Sequence, residues 1–258
     1  MIHIRTSAEI DRIAQGGQII GRLFAQLEET IVPGVSTLDV NEVADEFIRS
    51  HEDAIPAFKG LYGFPASVCI SVNEEIVHGI PKAERVLVEG DIVTVDCGVK
   101  LNGWYSDSAN TFSVGEIDSE SQRLLDATRG SLAAAIDASV VGNHIGDIGV
   151  AVMEAVAGEK LGIVRDLVGH GIGRELHEDP QVPNVGRAGF GPKLRPGMVL
   201  AIEPMIALGT DQIRTLDDRW TVVTADGTRA AHFEHTVAIT ESGPRILTGA
   251  QAHLSTSV

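Results

Sequence analysis

Asp96 and Asp107 are the first residues from which chemistry can be read. They stand in Asp91-Ile-Val-Thr-Val-Asp96-Cys-Gly-Val-Lys-Leu-Asn102-Gly103-Trp-Tyr-Ser-Asp107, where two β-rich runs flank an Asn-Gly pair. Asn-Gly is the strongest short signal for a two-residue type I′ hairpin turn. Residues equidistant from it pair across the hairpin, so Asp96 faces Ala109, and Asp107, two residues along, shares its face. The two carboxylates become diagonal cross-strand neighbours, with Cβ atoms roughly 7–8 Å apart or somewhat less. Adjacent carboxylates repel unless a cation or a proton neutralises them. A metal ion is the simpler answer; the alternative is a pair of exposed carboxylates on the wet side of the hairpin. The apolar run around Asp96 counts against that alternative.

Three further stretches offer partners. Val168-Gly-His170-Gly-Ile-Gly-Arg-Glu-Leu-His177-Glu-Asp-Pro180 places two histidines in a glycine-rich segment where a regular helix is disfavoured. They need not share a face, so one could bind metal while the other meets a substrate, and a structural role remains open for each. Gly197-Met-Val-Leu-Ala-Ile-Glu203-Pro204 and Ala230-Ala-His-Phe-Glu234-His-Thr-Val-Ala-Ile239 each set one glutamate in an apolar, β-rich run. A buried carboxylate needs a cation or proton partner. An Arg or Lys would serve for either glutamate alone; for both, beside the two aspartates, a metal site is the better reading.

The elements that must position these groups follow from capping and periodicity. Thr6-Ser-Ala-Glu9 is a capping box that opens a helix bearing Ile10, Ile13, Ile20, Leu23, Phe24 and Leu27. A second helix begins near Ser36 or Thr37, with Val40, Val43, Ala44, Phe47 and Ile48 as its stripe. Ser119-Glu-Ser-Gln122 opens a third, with Leu124, Leu125, Leu132 and Ile136, and a fourth follows Gly142-Asn143. Strands are expected over 91–99, 104–113, 197–207, 219–225 and 230–240, with hairpin signals at Asn102-Gly103 and Asp226-Gly227. Gly34-Val-Ser-Thr-Leu-Asp39 and Gly142-Asn-His-Ile-Gly-Asp147 share a Gly-x4-Asp pattern followed by a β-branched residue. With the repeated helix–helix–strand order, this suggests an internal duplication with a period of about 108 residues, and halves near 1–115 and 116–258 within one catalytic domain spanning 1–258.

Composition narrows the class. The 258 residues, 43% hydrophobic and 22% charged, suit one globular domain or two tightly joined halves. No apolar run approaches the roughly 20 residues of a membrane-spanning helix, and the N-terminus lacks a signal pattern, so a cytoplasmic protein without a membrane partner is expected. A net charge of −16 argues against DNA or other nucleic acid as the main partner and is compatible with a cationic substrate such as a free α-amine. Cys69 and Cys97 are too few for a disulfide framework and read as buried thiols.

Taken in order, Asn73-Glu-Glu-Ile-Val-His78-Gly-Ile-Pro81, the Asp96/Asp107 hairpin, Gly169-His-Gly-Ile-Gly-Arg-Glu-Leu-His177-Glu, Lys193-Leu-Arg-Pro-Gly-Met-Val-Leu-Ala-Ile-Glu-Pro-Met205 and Phe233-Glu-His-Thr236 resemble the type I methionine aminopeptidases. The resemblance runs from about residue 5 to Thr248 and is to the short bacterial form. It implies the α+β "pita-bread" fold, two pseudo-symmetric halves around a curved antiparallel sheet with helices outside. It further implies a dinuclear metal site of Asp96, Asp107, His170, Glu203 and Glu234, in which Asp107 and Glu234 bridge the ions and Asp96 chelates one. His78 and His177 match the two non-ligand histidines beside the substrate. The implied activity is removal of the N-terminal methionine from nascent polypeptides. Two divalent ions, cobalt, manganese, iron or zinc, would activate the water, and Glu203 would double as the proton shuttle. Hard carboxylates with one imidazole suit manganese, iron or cobalt at least as well as zinc. The methionine pocket maps onto Phe58, Leu61, Phe64, Cys69, Leu176 and Trp220. Bacterial relatives often carry Tyr at the positions of Leu61 and Phe64 and Phe at that of Leu176, so the lining here is less polar and reshaped. A monomer is the default expectation. Transient ribosome contact through Lys100, Lys193 and Arg195 is a further option, although scattered surface charge explains those residues more simply.

Overall fold

A computed structural model describes residues 1–249; positions 250–258 of the expected domain lie outside the described residues. The first helix, α1 (Ser7–Thr30), starts where Thr6 and Glu9 close their reciprocal capping box. It is followed by α2 (Thr37–Arg49), β1 (Ala54–Pro56), a 3-10 turn at Leu61–Gly63, β2 (Cys69–Val72), β3 (Glu75–Val77), β4 (Ile92–Leu101) and β5 (Trp104–Ser113). The order then repeats its opening: α3 (Ser119–Asp137), α4 (Ile145–Ala155), β6 (Gly162–Ile163), β7 (Val168–Gly171), β8 (Glu178–Pro183), β9 (Val199–Ile202), β10 (Met205–Ala207), β11 (Ile213–Thr215), β12 (Val222–Thr224), β13 (Ala230–His232), β14 (His235–Thr240) and β15 (Gly243–Ile246). No helix among the described residues is long and apolar enough to cross a membrane.

The two Gly-x4-Asp segments play the same local part. Asp39 accepts the N–H of Ser36 at the start of α2 (2.8 Å), and Asp147 accepts the N–H of His144 at the start of α4 (2.6 Å). Each carboxylate thus satisfies an orphan donor of a helix N-terminus and favours its positive end. Ser36 and His144 also each form an isolated antiparallel bridge, to Val86 and Lys193.

All strand pairings are antiparallel, and the hydrogen-bonded ladders divide into four sheets: β1-β4-β2 with β5 on β4, β13-β10-β6, β11-β12-β3, and β15-β14-β9-β7-β8. Helices α1 and α2 pack Ile20, Leu23, Leu27, Val40 and Ile48 against Val93, Val95, Cys97 and Val99 of β4. Helices α3 and α4 pack Leu124, Leu132 and Ile148 against Leu200, Ile202 and Val237. Alternation along β4 then turns Thr94 and Asp96 to the opposite face.

Two of the expected strands are interrupted. The run 197–207 breaks at Glu203-Pro204 and the run 230–240 at Phe233-Glu234. At Glu203-Pro204 the chain passes from the five-stranded sheet (β9) into the three-stranded sheet (β10), and at Phe233-Glu234 it passes back from β13 to β14. Asp226-Gly227 is a turn, but it closes no hairpin, because β12 pairs with β11 and β3 while β13 pairs with β10. The Asp226 carboxylate instead accepts the N–H groups of Thr210 and Thr228.

Where β5 meets the 232–236 segment, side-chain hydroxyls replace most of a regular ladder. Thr236 Oγ1 donates to the Asp107 carbonyl (2.8 Å) and accepts the Asp107 N–H (3.0 Å). Ser108 Oγ donates to the Glu234 carbonyl (2.6 Å), and Thr111 Oγ1 both donates to the carbonyl of His232 (2.8 Å) and accepts its N–H (3.0 Å). The Thr236 hydroxyl is buried, so Thr236→Val strands two main-chain groups of Asp107 without partners. We expect a loss of about 3 kcal/mol of unfolding free energy in urea titrations of the metal-free protein. A loss below about 0.5 kcal/mol would mean that the seam is not holding β5.

Candidate metal centre and substrate cavity

The β4–β5 hairpin has the geometry its turn dictates. Asn102 and Gly103 both take positive φ (50° and 77°), and Leu101 pairs with Trp104. Asp96 therefore faces Ala109, and Asp107 faces Gly98. Gly98 is required there for space: a Cβ would stand 2.7 Å from the Phe58 ring, which lies against the hairpin.

The other ligand candidates arrive from the far side. His170 lies in β7, and its Nδ1 is 2.9 Å from the Gly171 carbonyl. A carbonyl only accepts, so Nδ1 carries the hydrogen and Nε2 presents its lone pair. That Nε2 is 3.9 Å from Asp107 Oδ2 and 3.7 Å from Glu203 Oε1. One ligand atom each from Asp107, His170 and Glu234 lie within 4.8 Å of one another. Glu203 and Glu234 occupy the two interruptions described above, so the sheet switch is what turns both toward the hairpin.

A lone pair facing carboxylate oxygens is repulsive without a cation between them. No lysine or arginine pairs with Asp96, Asp107, Glu203 or Glu234 among the described residues; their charged-group neighbours are His170 and His232. Asp96 Oδ1, Asp107 Oδ1 and Glu234 Oε1 are buried with no hydrogen-bond partner. Burial pushes Asp96 up to about 7. Burial, reinforced by neighbouring carboxylates, raises Asp107, Glu203 and Glu234 well above the usual carboxylate range. Burial also depresses His170 to about 4, leaving it neutral. Orphaned oxygens, a correctly oriented imidazole and no competing cation are what a divalent-metal site requires.

Every site residue expected from the sequence lines one cavity of about 260 Å³. Asp96, Asp107, His170, Glu203 and Glu234 form one wall; Phe58, Leu61, Phe64, Cys69, Leu176 and Trp220 form an apolar one, with His78 and His177 at its margins. Phe64 meets Trp220 edge-on at 5.1 Å between centroids. The His177 ring stands edge-on to His170 at 4.5 Å, and its loop is held by Glu178, which accepts the N–H groups of Arg174 and Glu175 and pairs with the half-buried Arg5. His78 lies edge-on to Trp220 at 6.4 Å; burial lowers the pKa of both His78 and His177.

Two neighbours of the site escaped the sequence reading. Tyr62 lines the cavity mouth, 79% exposed and stacked on His177 at 6.2 Å. Its positive φ of 51° inside a tight turn lets it join Leu61 on the cavity wall, which no periodicity predicts. His232 lies beside Glu203, with Nε2 3.7 Å from Oε2.

Residues 11–241 match the model of metallopeptidase family M24. The chain belongs to this family. The chain is 52% identical to a methionine aminopeptidase of Clostridium acetobutylicum over 96% of its own length and 99% of that protein's. It is 47% identical to methionine aminopeptidase 1 of Bacillus subtilis over 96% and 99%. Among solved structures, the methionine aminopeptidase of Thermotoga maritima superposes with a TM-score of 0.94 at 45% identity, covering 96% of this chain and all (100%) of that one. The prolidase of Pyrococcus furiosus, at 22% identity and a TM-score of 0.76 over 96% of this chain and 66% of its own, shares the fold. The pita-bread fold of M24 is thus the architecture described above, and membership in this metallopeptidase family makes a divalent metal the cofactor.

The raised carboxylates set a pH dependence for the metal-free M24 chain. Buried histidines with folded values below the ordinary 6.5 add stability only as pH rises to that value. The thiols of Cys69 and Cys97 titrate above the ordinary 9.0. Between about pH 6.5 and 8.5 the raised carboxylates bind more protons folded than unfolded, so they make stability fall as pH rises. Thermal melts of chelator-stripped protein should show a Tm falling across this window, and saturating manganese should abolish the fall. A flat metal-free profile would show that the carboxylates are not buried together.

Proposed function

We propose that this chain is a metal-dependent aminopeptidase that hydrolyses the first peptide bond of polypeptides beginning with methionine, nascent chains above all. The observation that carries the reading is the cavity itself: four carboxylates and one neutral imidazole on one wall, a sulfur-compatible apolar lining on the other, and no lysine or arginine between them. Four ionised carboxylates are balanced by two divalent ions, whereas one ion would leave buried negative charge. Asp96, Asp107, His170, Glu203 and Glu234 would hold them. Their oxygen-rich donor set suits manganese, iron or cobalt at least as well as zinc. Ions bound there would polarise the scissile carbonyl and lower the pKa of a water toward about 7.

The chain's own residues divide the remaining work. The acidic wall attracts the free α-amine, which favours N-termini over internal bonds. Phe58, Leu61, Phe64, Cys69, Leu176 and Trp220 take the methionine side chain, whose thioether makes favourable contacts with aromatic rings. His177, neutral through burial, donates a hydrogen bond to the carbonyl oxygen as negative charge develops there. His78 orients the leaving side, and Glu203 carries the proton to the departing amine. The helix pairs and their matching Asp39 and Asp147 caps support one catalytic unit made of two related halves. The two free, buried thiols fit a reducing, cytoplasmic setting.

Metal-reconstituted protein should release methionine from Met-Gly-Met-Met and leave an X-Pro dipeptide intact; the reverse preference would overturn the substrate assignment. Asp107→Ala should lose metal loading and hydrolysis together, and wild-type rates in that variant would overturn the ligand assignment.

A further inference from the structure

His232 ends β13 and is 1% exposed, two positions before Glu234. Its main chain is fixed on both sides by the Thr111 hydroxyl, which itself lies 2.8 Å from that of Thr94. The ring's location is therefore set by β4, β5 and β13 before any ligand arrives. Both ring nitrogens are buried and lack hydrogen-bond partners. A buried imidazole without partners is costly, and an apolar side chain would fill the same space at no such cost. The ring is not part of the cavity lining, so it does not reach a peptide bond.

What it does reach is Glu203. His232 Nε2 is 3.7 Å from Oε2, while His170 Nε2 is 3.7 Å from Oε1, so one imidazole faces each oxygen of the same carboxylate. The two rings are not equivalent. His170 gives its hydrogen to the Gly171 carbonyl and turns a lone pair to the site. His232 has no carbonyl holding Nδ1, so its single hydrogen is free to sit on Nε2, toward Glu203. Glu203 follows the end of β9 at a sheet switch, where no ladder partner holds it.

We propose that His232 is a positioning residue for Glu203: its Nε2–H, 3.7 Å from Oε2 in the metal-free chain, closes to a hydrogen bond with Oε2 when metal binds and leaves Oε1 on the His170 side for the metal. The inference rests on the metal-site reading above and assigns His232 no direct bond to metal or substrate. Such outer partners of ligating groups typically change metal affinity by about 10–100-fold.

The test is manganese titration of chelator-stripped, full-length protein by calorimetry, with His232→Gln and His232→Leu compared with wild type. Gln keeps an N–H donor and should bind within about 3-fold of wild type; Leu should bind about 10–100-fold more weakly at unchanged stoichiometry. Metal-free melting temperatures should not fall in step, which separates positioning from packing. Wild-type affinity in His232→Leu overturns the proposal, as does loss of a whole metal equivalent in both variants, which would make His232 a ligand. Failure of wild type itself to bind manganese would instead sink the metal reading. A measurement independent of variants is the tautomer in zinc-loaded, 15N-histidine-labelled protein: Nε2–H at His232 supports the proposal and Nδ1–H overturns it.

Discussion

Four carboxylates held in one buried cavity, with no lysine or arginine beside them among the described residues, are the constraint on which the rest of this structure turns. Each ionised carboxylate taken from water costs several kcal/mol even after the surroundings relax. Repulsion between neighbours adds to that cost. The metal-free chain answers with protons, which is why Asp96, Asp107, Glu203 and Glu234 all titrate high. A divalent cation answers the same demand without neutralising the oxygens as ligands. The fold must therefore hold the groups together firmly enough that neither repulsion nor hydration separates them.

It does so with two devices. A tight hairpin fixes Asp96 and Asp107 on one face, and the odd-numbered valines of β4 anchor that hairpin to α1 and α2. On the other side, β9–β10 and β13–β14 each pass from one sheet to another, and a glutamate stands at each passage. The hydroxyls of Ser108, Thr111 and Thr236 join the two sides across a seam where the regular ladder lapses. Short side chains tolerate an approach angle that main-chain pairing does not, and they leave the main chain satisfied. The same hairpin needs glycine at 98 so that the Phe58 ring, which lines the cavity, can lie against it.

How much of this was legible in the sequence depends on range. The helix starts at Thr6 and near Ser36 follow from local hydrogen bonds, and the Asp96–Asp107 relation follows from a turn six residues away at most. The run 197–207 reads as one strand because side-chain alternation does not register which sheet the chain is pairing with, so the breaks at Glu203 and Glu234 were invisible. Asp226-Gly227 carries a turn signal without its strand pairing for the same reason. Family motifs in order identified His170, Glu203 and Glu234 as one set. They offered nothing for Tyr62, placed by a left-handed residue in a tight turn, or for His232, which reads as a core histidine until Glu203 is found beside it.

The most direct test of a carboxylate cluster built for cations is an anomalous difference map from crystals grown with manganese. The expected result is density within coordinating distance of Asp96, Asp107, His170, Glu203 and Glu234. Manganese sites confined to surface acids, with the five side chains hydrogen-bonded only to one another or to water, would contradict it.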